Sequence, residues 1–227
     1  MSPVKVVVFD SNETLLDLAA LDPAFVAAFG DAEARGEWFR QMLELFLTAT
    51  IVDRYRPFNQ LADEAVSMVA EWRGATITSD ARAGIMTAML AARAHADVVP
   101  ALERLVAAGI RIAVLTNSTA SAVQAQAKHA GIDGYFERLL SIDTVQCYKP
   151  GRGAYEFAAR ELGVRIDEIR LVATHAWDIA GASAAGCRTA FVTRRGKAPA
   201  RSSAPPDIVG ATMGEVAEAI IATDGQR

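Results

Sequence analysis

Residues 4–17 read VKVVVFDSNETLLD, and this stretch decides the fold of the chain. The apolar run Val6 to Phe9 ends in Asp10, and the polar residues 11–14 that follow cannot continue a strand. An unbroken apolar run of this kind is typical of a strand that is buried on both faces of a parallel sheet. Open α/β sheets bind ligands in the crevice beyond the carboxyl ends of their strands. Asp10 is therefore predicted to lie at the mouth of such a crevice, where a carboxylate can act as a nucleophile.

The rest of the chain divides into a helical block and a region of alternating strands and helices. Helical patterns cover residues 22–78, with breaks at Pro57 and Gly74, and then residues 79–94, so several helices are predicted. Predicted strands at 110–115, 139–142, 169–172, 189–193 and 207–209 alternate with predicted helices at 98–108, 121–130, 155–162 and 180–185, before a closing helix from Met213. This alternation predicts an α/β fold with a doubly wound parallel sheet. We expect a Rossmann-like core of residues 1–16 and 97–227, with an all-helical cap of residues 17–96 inserted after the first strand.

Composition limits the classes of function. The 227 residues are 52% hydrophobic and 22% charged with a net charge of −4, which describes a soluble globular protein without a basic stripe for nucleic acid. No apolar run approaches the roughly 20 residues of a membrane span, and the N-terminus lacks the pattern of a signal peptide. Cys147 and Cys187 have no metal-type spacing and are expected to be free thiols. These features predict a cytoplasmic protein without membrane or nucleic-acid partners.

Four polar clusters follow predicted strands: Asp10 with Thr14, Thr116 with Asn117, Lys149, and Thr174-His175-Ala176-Trp177-Asp178. Each alone has an ordinary structural explanation, such as a helix N-cap, a turn or a solvated loop. In the predicted topology all four lie at the same edge of the sheet, so their side chains are expected to converge on one crevice. The order and spacing of the clusters therefore indicate a catalytic site.

This combination resembles the haloacid dehalogenase superfamily and, more closely, its type II (S)-2-haloacid dehalogenase branch. The matching segments are FDSNETLLD from Phe9, VLTNS from Val114, YKPGRGAYEFA from Tyr148 and AWDIAGASAAG from Ala176, together with cap segments at residues 37–41, 53–55 and 58. The resemblance implies a hydrolase of carbon–halogen bonds that acts on small 2-haloalkanoic acids and needs neither cofactor nor metal. Asp10 would attack C2 and expel halide, and water would then hydrolyse the aspartyl ester, giving a 2-hydroxy acid inverted at C2.

The resemblance also implies a role for each site residue. Asp10 is the nucleophile, Lys149 holds it ionised, and Asp178 orients Lys149 or the hydrolytic water. Thr14 and Thr116 would donate hydrogen bonds to Asp10. Arg40 would orient the substrate and extract the halide, with Asn117 as a second donor. The remaining implied residues are substrate contacts at Gln41, Phe58 and Trp177 and supporting residues at Tyr155 and Thr174. The two aromatic residues of this set, Phe58 and Trp177, are equally well explained as plain core.

Two positions depart from the related patterns. Asn12 stands where the Mg²⁺-dependent phosphatases of the superfamily carry a second aspartate, and an amide cannot exchange a proton near neutral pH. The dehalogenases commonly carry Tyr at that position, so Asn12 is expected to change the size and hydration of the halide pocket. His175 stands where the dehalogenases commonly have Asn. It is either a structural hydrogen-bond donor or a base for the hydrolytic water.

Two other functions stay open, namely a Mg²⁺-dependent phosphatase of small esters and a non-catalytic binding protein that keeps the fold. Asn12 and Ala173 stand where the phosphatases carry acids, which argues against the first. A scaffold has no need to collect the charged residues Asp10, Lys149, Asp178 and Arg40 at one crevice, which argues against the second. The predicted partner is a small 2-haloacid, and a homodimer is one option for the assembly. Residues 194–197 are predicted to form a surface loop, and residues 197–206 carry no assignable chemistry.

Overall fold

The structure, a computed structural model, describes residues 3–225. Its strands are β1 (Val6–Phe9), β2 (Leu16–Asp17), β3 (Arg93–Ala94), β4 (Arg111–Thr116), β5 (Arg138–Ser141), β6 (Ile169–Ala173), β7 (Arg188–Val192) and β8 (Ile208–Gly210). Six of these form one parallel sheet in the order β5-β4-β1-β6-β7-β8. The predicted parallel, doubly wound α/β fold is therefore confirmed.

The helices lie on both sides of this sheet and in the predicted helical block. They are α1 (Asp22–Phe29), α2 (Glu33–Ile51), α3 (Phe58–Trp72), α4 (Ser79–Leu90), α5 (Val98–Ala107), α6 (Ala120–His129), α7 (Arg152–Leu162), α8 (Ala176–Ala185) and α9 (Met213–Asp224). Pro57 directly precedes α3, and Gly74, with a φ of 61°, follows its end. The predicted division of the block at these two residues is confirmed. No helix of residues 3–225 is long and apolar enough to cross a membrane.

A short ribbon joins the helical block to the core. β2 pairs antiparallel with β3, with Leu16 opposite Ala94 and Asp17 opposite Arg93. The chain therefore leaves the core and returns to it on adjacent strands. The prediction of an entirely helical insertion missed this ribbon because two-residue strands leave no periodic pattern. The predicted domain limit at residues 16/17 divides β2, the limit at 96/97 follows β3 by two residues, and both limits stay a prediction.

The register of the central strand sets the height of Asp10. Phe9 in β1 is paired with Val114 in β4 and with Val172 in β6, and all three side chains are buried. The Asp10 amide still donates to the Val172 carbonyl over 3.0 Å, and the chain then turns away. Asp10 consequently leaves the sheet between the carboxyl ends of its two neighbours, which is the position that the sequence predicts.

One helix boundary differs from the prediction in a way that matters for the site. α8 begins at Ala176 rather than at residue 180, and His175 occupies its N-cap position with an extended backbone. Asp178 therefore lies in the first helical turn instead of in a loop. An acidic residue in the first turn is favoured by the helix dipole, and this is a signal that the apolar pattern alone does not carry.

The packing of α8 yields a stability prediction. A Cβ at Gly181 would lie 2.5 Å from Pro150 Cβ and 2.7 Å from both the Pro150 carbonyl oxygen and the Tyr155 hydroxyl. We expect Gly181→Ala to lower the free energy of unfolding by about 2 kcal/mol, which is typical of overpacking. Urea denaturation monitored by circular dichroism measures this change.

Gly84→Ala is the matched control, since it places the same methyl group in a helix. Gly84 is exposed in α4, and an added Cβ there meets no atom within 4 Å. Alanine is better than glycine inside an exposed helix by about 0.5–1 kcal/mol, so this variant should be more stable than the parent. Equal effects of the two substitutions would contradict the packing argument.

Candidate active site

The four predicted clusters meet at one edge of the sheet. Asp10 follows β1, Thr116 closes β4, and Thr174 follows β6, so these three positions lie side by side on adjacent strands. Lys149 comes from the segment before α7, and Asp178 from the first turn of α8. The convergence expected from the parallel topology is observed.

The Lys149 ammonium lies at the centre of the site and is fully buried. Its Nζ donates to Asp10 Oδ1 over 2.8 Å, to Asp178 Oδ2 over 2.6 Å and to the Leu115 carbonyl over 2.9 Å. An ammonium has three N–H donors, so all of them are used. Asn117 holds the backbone of this residue from both sides, because its Oδ1 accepts from the Lys149 amide over 2.9 Å and its Nδ2 donates to the Lys149 carbonyl over 3.2 Å.

The charges of this cluster follow from burial and pairing. Burial by itself raises the pKa of Asp10, but the adjacent Lys149 ammonium and the His175 ring outweigh it and hold that pKa well below its usual range. Burial lowers the pKa of Lys149, and the two carboxylates overcome this and raise it. Asp10 is therefore an ionised carboxylate at neutral pH, which is the state that a nucleophile requires.

Asp178 is held on both of its oxygens. Oδ2 accepts from Lys149, and Oδ1 accepts from the Tyr155 hydroxyl over 2.6 Å. Burial, with a further contribution from Asp10, raises the pKa of Asp178. Burial and the Asp178 carboxylate raise the pKa of Tyr155 well above its ordinary value, so this hydroxyl keeps its proton and stays a donor. Asp178 thus contacts Lys149, and Tyr155 contacts Asp178 rather than Lys149. Their roles in orienting Lys149 or the hydrolytic water stay predictions.

The two threonines of the prediction differ in their contacts. Thr14 Oγ1 donates to Asp10 Oδ2 over 2.7 Å and accepts from the Thr174 amide over 3.1 Å, so Thr174 supports Asp10 through Thr14. Thr116 Oγ1 accepts from the Ser118 amide over 3.1 Å, and within the described residues it makes no hydrogen bond to Asp10. The expectation for Thr116 needs correction: its hydroxyl closes the turn after β4, while the residue still lines the cavity beside Asp10.

A second group of charged side chains adjoins the predicted residue His175, and the other members of this group were not predicted from sequence. Its Nδ1 lies 3.1 Å from Asp10 Oδ2, and its Nε2 lies 2.9 Å from Glu13 Oε2. The same Glu13 oxygen accepts from Lys197 Nζ over 2.6 Å, and Arg35 Nη1 lies 3.8 Å from Glu13 Oε1. Burial raises the pKa of Glu13, but His175 and Lys197 outweigh it and lower that pKa. Lys197, in a loop to which no chemistry could be assigned from sequence, thus reaches the site.

Glu13 carries a local signal that helps to explain its position. Its φ is 60°, in the left-handed region that few residues other than glycine adopt. A residue held in this way in a turn is often part of a functional site. The sequence signal for Glu13 was therefore its place as an acidic residue in the turn segment DSNET, residues 10–14.

A narrow cavity beside Asp10 is the candidate substrate pocket. Its volume is about 20 Å³, and its lining residues are Asp10, Asn12, Phe39, Met42, Leu43, Phe46, Phe58, Thr116, Asn117, His175 and Trp177. This is room for a single water-sized group, so a substrate can enter only when the side chains from α2 move aside. A larger cavity of about 730 Å³ lies between α3, α4 and α6. Asp10, Lys149 and Asp178 are not among its lining residues, so we place the chemistry in the narrow one.

The aromatic residues of the pocket form a stack around the imidazole. The centroid of the Phe39 ring lies 5.5 Å from that of the His175 ring, and the centroid of the Trp177 ring lies 5.0 Å from it. Phe58 packs against Phe46 of α2 with 5.3 Å between centroids. Phe58 and Trp177 therefore line the pocket, and Phe58 also belongs to the buried core. The substrate contact of these two residues stays a prediction, and Phe39 is an additional wall that the sequence prediction did not name.

Two predicted cap residues are not brought to the cavity. Arg40 is exposed on α2, and its Nη1 lies back toward Gly36, one turn earlier. Gln41 is buried in α2 but is not among the residues that line the cavity. The face of α2 that covers Asp10 carries Phe39, Met42, Leu43 and Phe46 at helical spacing. The substrate contacts of Arg40 and Gln41 therefore have no support from this arrangement.

Asn12 lines the cavity, and its side-chain amide contacts neutral polar groups. Its Nδ2 donates to Ser118 Oγ over 3.1 Å, and Gln126 Nε2 approaches its Oδ1 at 3.5 Å. The amide is buried and tied on both ends by neutral polar groups. It supplies no proton to a leaving group, in agreement with the reasoning from sequence.

The donor set does not fit the magnesium ion that phosphatases of this superfamily use. Asp10 and Asp178 both direct an oxygen at the Lys149 ammonium, so a cation already occupies the space between the carboxylates. Asn12 and Ala173 add no charge, and within residues 3–225 no group of three or more His, Cys, Asp or Glu side chains is placed to hold a metal. We therefore derive no step through a metal ion.

Comparisons with known proteins identify the family of this chain. A family model described as haloacid dehalogenase-like hydrolase matches residues 4–186. (S)-2-haloacid dehalogenase 1 of Pseudomonas sp. strain CBS-3 is 32% identical, with 90% of this chain and 91% of the relative covered. (S)-2-haloacid dehalogenase 4A of Burkholderia cepacia is also 32% identical, with 87% of each covered. The crystal structure of a dehalogenase with an intermediate complex superposes with a TM-score of 0.90 at 28% identity over 100% of both chains. Because the family match spans most of the sequence and the relatives align along nearly their full length, this chain belongs to the haloacid dehalogenase-like hydrolase family.

Proposed function

We propose that this protein hydrolyses the carbon–halogen bond of small 2-haloalkanoic acids through an aspartyl ester on Asp10. The observation that carries the proposal is the ionised Asp10 carboxylate, held by Lys149, with no proton donor at the position of Asn12. A halide leaves as a stable anion and needs no general acid. A phosphate ester, by contrast, is helped by protonation of its leaving oxygen. Relatives that align along nearly the whole chain are (S)-2-haloacid dehalogenases.

In the first step one oxygen of Asp10 attacks C2 of the substrate and the carbon–halogen bond breaks. Thr14 and Lys149 hold the two carboxylate oxygens, so the attacking group is fixed before substrate arrives. Such fixed geometry supplies a large part of the rate of a displacement reaction. Asn117 keeps one N–H of its amide for the departing halide, since the other is used on the Lys149 carbonyl. Attack from behind the leaving group inverts C2.

In the second step water attacks the carboxyl carbon of Asp10 and the ester bond breaks. Lys149 stabilises the negative charge that develops on the carbonyl oxygen of the ester, in the manner of an oxyanion hole. His175 faces the same carboxyl group with its Nδ1 at 3.1 Å from Oδ2, so it is placed to remove a proton from the water. The product is a 2-hydroxy acid, and Asp10 is regenerated with one oxygen from solvent.

The surroundings fit a short apolar substrate with a carboxylate. Phe39, Phe58 and Trp177 offer apolar contacts to the alkyl part, while the ionisable lining residues Asp10 and His175 contact each other. Closure of α2 over the cavity keeps water from the carboxylate during the first step and strengthens the electrostatic contacts. We also propose the cytoplasm as the compartment, because Cys147 and Cys187 are free thiols. A homodimer stays a prediction.

The first test of this function is halide release with and without its nucleophile. We expect chloride release from 2-chloropropionate, tested as both enantiomers, and we expect Asp10→Asn to lower it at least a thousandfold because an amide is a poor nucleophile. A single turnover of excess enzyme in water enriched in ¹⁸O should leave the label in Asp10 rather than in the product. Mass spectrometry of the peptide and of the hydroxy acid measures both.

Phosphatase activity is the control for this assignment. p-Nitrophenyl phosphate is incubated with the enzyme in the presence and in the absence of Mg²⁺. Robust Mg²⁺-dependent phosphate release, together with no halide release from chloro-, bromo- or fluoroacetate, would overturn the proposed function. Label found in the hydroxy acid after one turnover would instead overturn the ester route while leaving the substrate class intact.

The base role of His175 gives a separate prediction. Removal of a general base usually costs about 10²–10⁴ in rate, so His175→Asn should slow ester breakdown by at least a hundredfold. Alkylated Asp10 should then accumulate and be visible by mass spectrometry of the intact protein. His129→Asn is the matched control, because His129 is exposed at the end of α6. If His175→Asn turns over normally and traps no adduct, the base assignment is wrong.

A further inference from the structure

The contacts of His175 require two ring protons. Nδ1 faces Asp10 Oδ2 at 3.1 Å and Nε2 faces Glu13 Oε2 at 2.9 Å. An ionised carboxylate only accepts hydrogen bonds, and a neutral imidazole has one N–H. Both contacts are therefore satisfied only by an imidazolium. A base must be neutral to accept a proton, so the free enzyme holds His175 in the form that cannot perform the second step.

Both carboxylates beside the ring are kept ionised by other cations. Lys149 contacts Asp10, while Lys197 contacts Glu13 at 2.6 Å and Arg35 approaches it at 3.8 Å. The rings of Phe39 and Trp177 pack on the imidazole and carry no charge. Burial lowers the pKa of His175, but the hydrogen bonds to Asp10 and Glu13 outweigh it and raise that pKa. The charge of the ring thus depends on two anions, one of which is the nucleophile.

We propose that formation of the Asp10 ester causes His175 to release the extra proton that it carries in the free enzyme. The neutral His175 is then the base for ester hydrolysis. This inference rests on the proposed function. Alkylation turns the Asp10 carboxylate into a neutral ester, and the charge that favoured the imidazolium is lost once the halide departs. Removal of an anion within about 4–6 Å lowers the pKa of a histidine by about 1–3 units. The nucleophilic step therefore prepares the base that the hydrolytic step needs.

The position of Glu13 determines which ring nitrogen loses its proton. Glu13 stays ionised beside Lys197 and Arg35, so it keeps the hydrogen on Nε2 as its donor. The proton lost is the one on Nδ1, which frees the lone pair that faces the Asp10 carboxyl group. Glu13 is thus a positioning residue that fixes the tautomer of His175, and Lys197 is a positioning residue that holds the Glu13 carboxylate beside the ring.

The protons balance over the cycle. The first step forms the ester, releases halide and sends the Nδ1 proton of His175 to solvent. In the second step the water oxygen bonds to the carboxyl carbon of Asp10, and the bond from that carbon to the alkoxide oxygen of the 2-hydroxy acid breaks. One proton of the water passes by way of His175 to this alkoxide. Its other proton returns to His175 as Asp10 becomes a carboxylate again. The net release of one proton per turnover equals that of hydrolysis, but it occurs with the halide and not with the hydroxy acid.

The timing of proton release tests this inference directly. Excess enzyme is mixed with (S)-2-chloropropionate in weakly buffered solution with a pH indicator, and chloride and hydroxy acid are followed by rapid quench. At a pH between the histidine pKa values of the free and esterified enzyme, we expect close to one proton to appear with each chloride. Proton release that follows the hydroxy acid would overturn the inference. Absence of any chloride would instead mean that the proposed function has failed.

A titration that needs no turnover covers the case in which the ester does not accumulate. Asp10→Asn mimics the neutral ester, and His175 is one of three histidines in the chain, with His95 and His129 as internal references. Its pKa by NMR should be at least one unit lower in this variant than in the parent. In Lys197→Met, which removes a cation near the ring, the pKa of His175 should be unchanged or higher. An unchanged or higher pKa in Asp10→Asn would overturn the inference.

Discussion

The ion pair network around the Lys149 ammonium is the constraint on which the rest of the site depends. A fully buried ammonium is costly unless each of its donors is paired, and here two carboxylates and one carbonyl satisfy all three. These partners come from the end of β1, the end of β4 and the first turn of α8. The network can form only when those elements are in their final register. It therefore couples the chemistry of the site to the folding of the core.

The same ammonium favours one type of reaction. It lies between Asp10 and Asp178 and contacts both carboxylates, and as a side chain of the protein it cannot leave. A fixed single charge is enough to ionise a nucleophile and to stabilise an ester oxyanion. It does not bridge a substrate phosphate in the way that a divalent ion does. With Asn12 in place of an acid, the site suits leaving groups that depart as anions.

Much of this arrangement could be predicted from the sequence, because parallel strands place their carboxyl ends at one edge. Asp10, Lys149 and Asp178 were predicted on that basis, and Thr14 and Tyr155 contact them as the family resemblance implied. The prediction was weaker wherever side-chain direction mattered. Arg40 lies on a face of α2 that a motif match does not define, and the rotation of the Thr116 hydroxyl toward its own turn is invisible in the spacing of the strands.

The residues that the sequence concealed share a physical reason. Glu13 is aimed at His175 by a turn with positive φ, and Lys197 reaches Glu13 from the irregular loop after β7. Irregular segments have no period, so the pattern of apolar residues says nothing about where their charged ends lie. Long-range charge pairing of this kind appears only when the loop is folded against the core. A lysine in an unassigned loop is for this reason a poor candidate on sequence and a clear one in three dimensions.

The charge arrangement also explains how an anionic substrate can approach the carboxylates of Asp10 and Glu13. Asp10 and Glu13 lie on either side of His175, and the cations Lys149 and Lys197 stand behind them. An imidazolium between the two acids lowers the repulsion that the substrate carboxylate would otherwise meet. Lys197 also packs over the ring of Phe39, and this ring covers His175. A side chain of α2 therefore lies among these charged groups. The Phe39 ring of α2 lies over the imidazole and shields it from water, which strengthens each of these interactions. Helix α2 therefore contributes to the electrostatics of His175 as well as to the walls of the pocket.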